Sequence, residues 1–237
     1  MASVGVRLLT EKRPDSVRGL VFDMDGLLLD SEKVVKRSWD YVGNKLGYGN
    51  LGDHIFNTVG FNVNRRREYF LSNVDPNFPM DDFILMTRKK YHEIADQEGI
   101  EVKKGARELL SWANGEGYRI GLATSSREVH AKMSLKKVGL YDYFDGKIFG
   151  DRVVEGKPSP EIYLKACESI GVRPSEAIAF EDAPSGVQSA FAAGMKVVMV
   201  PDLVMPTETL EPLIWRQVEH LGMVIDLLKN RTINKKP

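Results

Sequence analysis

The sequence predicts an α/β protein: a core around a central parallel sheet with helices on both faces, carrying an inserted all-α segment. Three observations lead there. Short apolar runs ending in a polar residue or glycine recur along the chain, as "GLVFD", "YRIGLAT", "KIFG", "AIAFED" and "KVVMVP". The helical patterns "ARELLSWANGEG", "REVHAKMSLKKVG", "PEIYLKACESIG" and "SGVQSAFAAG" alternate with them, most closed by a glycine where a C-cap belongs. Between residues 32 and 101 that alternation stops, and "EKVVKRSWDYVGNKLGY", "NRRREYFLSNV" and "MDDFILMTRKKYHEIADQ" read as amphipathic helices. Apolar strands alternating with helices imply a parallel sheet covered on both faces. The interruption assigns 32–101 to a helical cap, and 1–31 with 102–237 to the core.

Composition narrows the function. With 237 residues, 43% of them apolar, the chain can bury a sizeable core. Its 33 basic and 33 acidic side chains cancel, so no overall positive field draws nucleic acid or anionic lipid. The opening "MASVGVRLLTEKRPDS" has no long apolar stretch, and no run approaches a membrane span. A cytoplasmic monomer acting on a small molecule, without nucleic-acid or membrane partners, is the expectation. Cys167, the single cysteine, shares a helical face with Tyr163, Ala166 and Ile170 and is read as a buried structural thiol. His54, His92, His130 and His220 follow no metal-ligand spacing and receive no chemical role.

Ligands of open parallel sheets bind beyond the carboxyl ends of the strands. There the first run ends in Asp23 and Asp25, the second in Thr124 and Ser125, and the fourth in Glu181 and Asp182, while "GKPSP" brings Lys157 after the third. This set suits phosphoryl transfer. Asp23 would attack phosphorus as nucleophile, and Asp25 would serve the leaving oxygen and the attacking water as general acid and base. Asp23 and Asp182, with a main-chain carbonyl and waters, would hold one Mg²⁺ in an all-oxygen shell. Thr124 and Lys157 would donate to the phosphate oxygens. Two carboxylates about 4 Å apart repel by roughly 4 kcal/mol at an effective dielectric near 20, so such a cluster calls for a cation.

Plainer roles are weighed beside these. Gly26 after Asp25 is a turn signal. Thr124 and Ser125 suit the N-cap of the following helix, which is itself an anion site. Glu181 is divided between support of the metal and a structural hydrogen bond, and Asp30 is read as a helix cap or loop acid. In "NRRREYF" a solvated helix face is expected, with one arginine turned toward the substrate. Trp39, Tyr41, Phe56, Phe61 and Phe83 are read as packing within the inserted helices.

"DMDG", "ATSS", "GKPSP" and "FEDAPSGVQSAFAAGM" resemble, in order and spacing, the four motifs of the haloacid dehalogenase-like hydrolase superfamily, from about residue 20 to residue 200. The resemblance implies a Rossmann-like core with an all-α cap domain, a helical bundle, inserted after the first motif. It also implies Mg²⁺ bound through the Asp23 carboxylate, the Asp25 carbonyl and the Asp182 carboxylate, with Glu181 nearby. Within the superfamily the chain is similar to the branch of β-phosphoglucomutase and of phosphatases for sugar phosphates, nucleoside monophosphates and pseudouridine 5'-phosphate. "AAGMKVVMVPD" resembles the pseudouridine 5'-phosphatase group in particular.

The function expected is therefore a Mg²⁺-dependent phosphatase that opens a small organic phosphomonoester through an aspartyl-phosphate. Gly60, Asn62, Ser126 and Arg127 are expected on the leaving-group side. Two rivals are weaker. A mutase of the β-phosphoglucomutase type has an arginine three residues after the cap-loop glycine; in "VGFNVNRRR" Gly60 matches but Val63 occupies that place, with Arg65 two residues later. A phospho-acceptor signalling module lacks an inserted cap. Dehalogenation fits poorly, since halide needs no protonation and Asp25 is retained.

Overall fold

The computed structural model describes residues 17–58 and 63–229. Its sheet is built on β1 (Gly19–Phe22), which pairs in parallel with β2 (Arg119–Thr124) on one side and β4 (Ala177–Glu181) on the other. Beyond β2 lies β3 (Gly146–Phe149), and beyond β4 lie β5 (Lys196–Met199) and β6 (Arg216–Gln217). The order is β3-β2-β1-β4-β5-β6, with every pairing parallel. The chain's progress across the sheet reverses between β1 and β4, so the loops after them part and leave a crevice at their carboxyl ends.

Each strand alternates between two cores, as a sheet covered on both faces requires. Leu20, Phe22, Ile120, Leu122, Ile178 and Phe180 face α5 (Ala106–Gly115), α6 (Glu128–Lys137) and α9 (Met223–Lys229). Val21, Ala123, Ala177 and Ala179 face α7 (Glu161–Ser169) and α8 (Pro184–Ala192). Phe22 and Phe180 stack with centroids 4.6 Å apart, which ties the two site-bearing strands together. Cys167 lies in the second core with Tyr163, Ala166 and Ile170, and burial pushes its thiol up to about 11. The five apolar runs of the sequence are all strands. The sixth, only two residues long, has no apolar signature and becomes a strand by pairing with β5.

Between β1 and β2 come α1 (Glu32–Leu46), α2 (Ile55–Thr58), α3 (Val63–Asn73) and α4 (Met80–Glu98). They share a third apolar cluster, with Trp39, Phe70, Phe78 and Phe83 at its centre. Phe70 is fully buried, and its ring lies 4.8 to 5.5 Å from those of Phe78, Phe83 and Trp39. Two expected packing residues lie elsewhere: Tyr41 and Phe56 are 49% and 48% exposed, each beneath a lysine ammonium, Lys90 and Lys36 respectively. An aromatic ring with a cation on its face can sit at the surface, so residue type alone misplaced them. Phe61 lies outside the described residues. Lys137 of α6 donates to the Ala95 and Asp96 carbonyls at 2.7 Å, tying the last turn of α4 to the core. Among the described residues no helix is long and apolar enough to cross a membrane.

Phe70→Ala should destabilise the protein by about 3–5 kcal/mol, since it empties the centre of the third cluster. Urea unfolding with helical and tryptophan signals would measure this.

Candidate active site

Asp23 follows β1 directly, and its backbone N–H donates to the Phe180 carbonyl at 3.1 Å, which holds it beside the end of β4. The chain then turns at Gly26, where φ is +83°. A Cβ there would fall 2.2 Å from Asp182 Oδ2, so only glycine lets this loop lie against the acid. Gly186 plays the matching part in the first turn of α8, where a Cβ would sit 1.9 Å from Glu181 Oε1.

Lys157 joins these parts. Its ammonium donates to Asp23 Oδ1 at 2.5 Å, to Glu181 Oε1 at 2.6 Å and to the Ala123 carbonyl at 3.1 Å. Glu181 also accepts from the Tyr163 hydroxyl at 2.5 Å and from the Asp182 N–H at 3.2 Å. Asp23, Glu181 and Asp182 are 6%, 1% and 6% exposed, and one oxygen of each lies within 4.8 Å of the others. Burial pushes Asp23 up to about 7 against the pull of Lys157, and holds Asp182 well above the carboxylate range, with Glu181 and Asp23 adding to the effect. Burial also works against a charged Lys157, but Asp23 and Glu181 outweigh it and keep the amine protonated above its ordinary range. The three carboxylates offer an all-oxygen donor set whose crowding a cation would relieve, the donor chemistry of a hard divalent cation.

The second strand's loop acts differently from a helix cap. Thr124 is fully buried and its Oγ1 accepts the Ser126 N–H at 3.1 Å, while α6 begins only at Glu128 with Arg127 in the N-cap place. Ser126 Oγ donates to Asp25 Oδ2 at 2.7 Å and so orients that acid. Ser125 lines a cavity of about 470 Å³ together with Asp23, Asp25, Lys157, Glu181 and Asp182. A second cavity of about 320 Å³ runs from Asp25 and Ser126 past Val35, Trp39, Phe83 and Tyr91 to His92 and His130, whose rings stack 4.2 Å apart.

Six of the expected residues, Asp23, Asp25, Ser125, Lys157, Glu181 and Asp182, thus line one cavity, and Ser126 joins them from the other. Arg127 is exposed and lines neither cavity. Gly60 and Asn62 lie outside the described residues. Asp30 pairs with Lys33 at 2.6 Å, a loop acid rather than a member of the site. Residue reading missed Glu32, Arg66 and Tyr91. Glu32 and Arg66 line both cavities, and Arg66 lies with its guanidinium 5.4 Å over the Trp39 ring. Of the three arginines in "NRRREYF" it is Arg66 that lines the cavities, and nothing in the local pattern separates it from Arg65 and Arg67.

Residues 20–200 match the haloacid dehalogenase-like hydrolase family. The chain is 31% identical over 183 residues to a phosphorylated carbohydrates phosphatase of Thermotoga maritima, covering 76% of this chain and 83% of that one. It is 30% identical over 188 residues to a probable pseudouridine-5'-phosphatase of Drosophila melanogaster, covering 77% and 80%. The fold is that of a β-phosphoglucomutase from Clostridium difficile, with a TM-score of 0.72 at 21% identity over 90% of this chain and 96% of that one. By its motifs, its sheet order and these likenesses, the chain belongs to the haloacid dehalogenase-like hydrolases, alongside enzymes named as phosphatases.

Proposed function

We propose that the protein is a Mg²⁺-dependent phosphatase that hydrolyses a small organic phosphomonoester, a sugar phosphate or a nucleoside or pseudouridine monophosphate, through an aspartyl-phosphate on Asp23. The observation that carries this reading is the convergence of Asp23, Asp25, Lys157 and Asp182 on one cavity at the β1/β4 crevice. A Asp23 carboxylate oxygen forms the new bond to phosphorus as the bond to the ester oxygen breaks. Asp25, oriented by Ser126 and bordering both cavities, gives its proton to that leaving oxygen. In the second step Asp25 takes a proton from water as the water oxygen attacks phosphorus, and the bond to Asp23 breaks. Lys157 opposes the neutralisation of Asp23 by burial and stands ready to donate to a phosphate oxygen, with Ser125 lining the same cavity and Thr124 buried behind it. The Asp23 and Asp182 carboxylates and the Asp25 carbonyl would hold Mg²⁺, with Glu181 supporting them; its charge would offset that of the phosphoryl group.

The inserted helices act in this reading as a cap over residues 32–101, closing on a core of 1–31 and 102–237. Closure would keep bulk water from the phosphoryl group and bring cap side chains to the leaving group. The leaving group would occupy the smaller cavity, because Asp25, its proton donor, stands at that cavity's inner end.

Asp23→Asn should abolish phosphate release from every ester and prevent labelling of the protein by a radioactive phosphoryl donor. Asp25→Asn should slow turnover about 100-fold or more, with a smaller loss on esters of acidic phenols, whose oxygen leaves without a proton; steady-state kinetics on an alkyl and an aryl ester would compare them. Mg²⁺ should raise the thermal midpoint of the wild type, by an amount equivalent to about 2.7 kcal/mol at 100 times its Kd. Asp182→Asn should lose most of that rise, as read by calorimetry with and without a chelator.

A further inference from the structure

Tyr163 stands beneath the cluster. It lies in the first turn of α7, is fully buried in the second core and lines neither cavity. Its hydroxyl donates to Glu181 Oε1 at 2.5 Å, the same oxygen that accepts from Lys157 at 2.6 Å. Its ring also carries the Lys157 ammonium 5.1 Å from the centroid, within the range of a cation over an aromatic face. In the same turn Glu161 accepts from the Val154 and Glu155 N–H groups at 3.0 and 2.8 Å, which pins the loop leading to Lys157.

A buried phenol needs an acceptor, and the one Tyr163 has is the oxygen on which Lys157 depends. A carboxylate oxygen has two acceptor sites, and an ammonium has three N–H donors. Both inventories are filled here. Glu181 Oε1 accepts from Lys157 and Tyr163, while the three bonds of Lys157 go to Asp23 Oδ1, Glu181 Oε1 and the Ala123 carbonyl. Glu181 is 1% exposed, so a donor removed from it is not replaced by solvent and the empty site is costly. Without the hydroxyl, Lys157 is the nearest donor left to Oε1, and filling that site draws its ammonium away from Asp23 and from the cavity where the phosphate oxygens would lie.

On the phosphatase reading, on which this rests, we infer that Tyr163 is a positioning residue: its hydroxyl fills the second acceptor site of Glu181 Oε1 and so keeps one N–H of Lys157 directed at Asp23 and at the phosphoryl group that Asp23 attacks. It touches no reacting atom and acts only through Glu181 and Lys157.

Tyr163→Phe removes the hydroxyl and keeps the ring. At saturating Mg²⁺ its kcat should fall about tenfold below that of the wild type. The loss should be equal on glycerol 1-phosphate and on 4-nitrophenyl phosphate, because Lys157 serves the phosphoryl group and not the leaving oxygen. Its Kd for inorganic phosphate, measured by calorimetry, should rise about threefold or more. Because Tyr163 acts through Glu181, adding Tyr163→Phe to Glu181→Gln should lower kcat by less than about twofold further. Thermal melts are recorded for every variant, and the kinetics are run below the lowest midpoint. Should Glu181→Gln fail to fold, the phosphate titration and the two esters decide from Tyr163→Phe alone.

A kcat within about twofold of the wild type overturns the assignment, since a merely structural hydroxyl would lower the melting midpoint and leave the turnover of the folded enzyme alone. So does a loss confined to the glycerol ester, an unchanged phosphate affinity, or full additivity in the double variant. A wild type inert toward both esters overturns the phosphatase reading itself, and the phosphate titration then decides on Tyr163 separately, an equal Kd in wild type and variant overturning its role.

Discussion

The ammonium of Lys157 holds the centre of this molecule together, because it stands between two buried carboxylates and bonds to both. Asp23 and Glu181 are 6% and 1% exposed, and each accepts from that one amine at 2.5–2.6 Å. Removing one member of such a pair strands a buried charge, while the intact pair keeps its shape. The bond from Lys157 to the Ala123 carbonyl ties the cluster to β2, so three neighbouring strands meet at a single side chain. Tyr163, reaching up from α7, completes the shell of Glu181 and links the cluster to the core beneath.

Close approach of the surrounding backbone follows from this arrangement. Gly26 and Gly186 sit where any side chain would enter the space of Asp182 and Glu181, so the loop after β1 and the start of α8 lie directly over the acids. The same loop then crosses to α1 within a few residues. The acids of the core and the walls of the smaller cavity are therefore joined by a short segment, Asp23 to Glu32, in which Leu27, Leu28 and Leu29 are buried. Burial of those leucines removes freedom that a surface loop would keep.

Much of the architecture was legible because the signals are local. Five apolar runs became five parallel strands, and the break in their alternation became the inserted helices, since strand and helix periods are set by nearest neighbours along the chain. Asp23, Asp25, Lys157 and Asp182 could be picked out because strand ends of a parallel sheet collect functional groups wherever the sheet's order reverses. Thr124 was harder to place. Its position at the strand end was visible, but its hydroxyl serves the Ser126 N–H rather than a helix start, a choice made by the course of the loop.

Glu32 and Arg66 show where local reading ends. Each sits in an amphipathic run with other charged residues of the same kind, Arg65 and Arg67 beside Arg66 above all, and no spacing along the chain marks one as inward. Tyr41 and Phe56 err the other way, aromatic yet at the surface under lysines. Periodicity sets which face of a helix is apolar, and so the sequence determined the elements, their order and the acids at the strand ends. The meeting of Glu32, Arg66 and Tyr91 with Asp25 was decided only by the packing of α1, α3 and α4 over the sheet, because contacts between distant segments depend on how whole helices are placed.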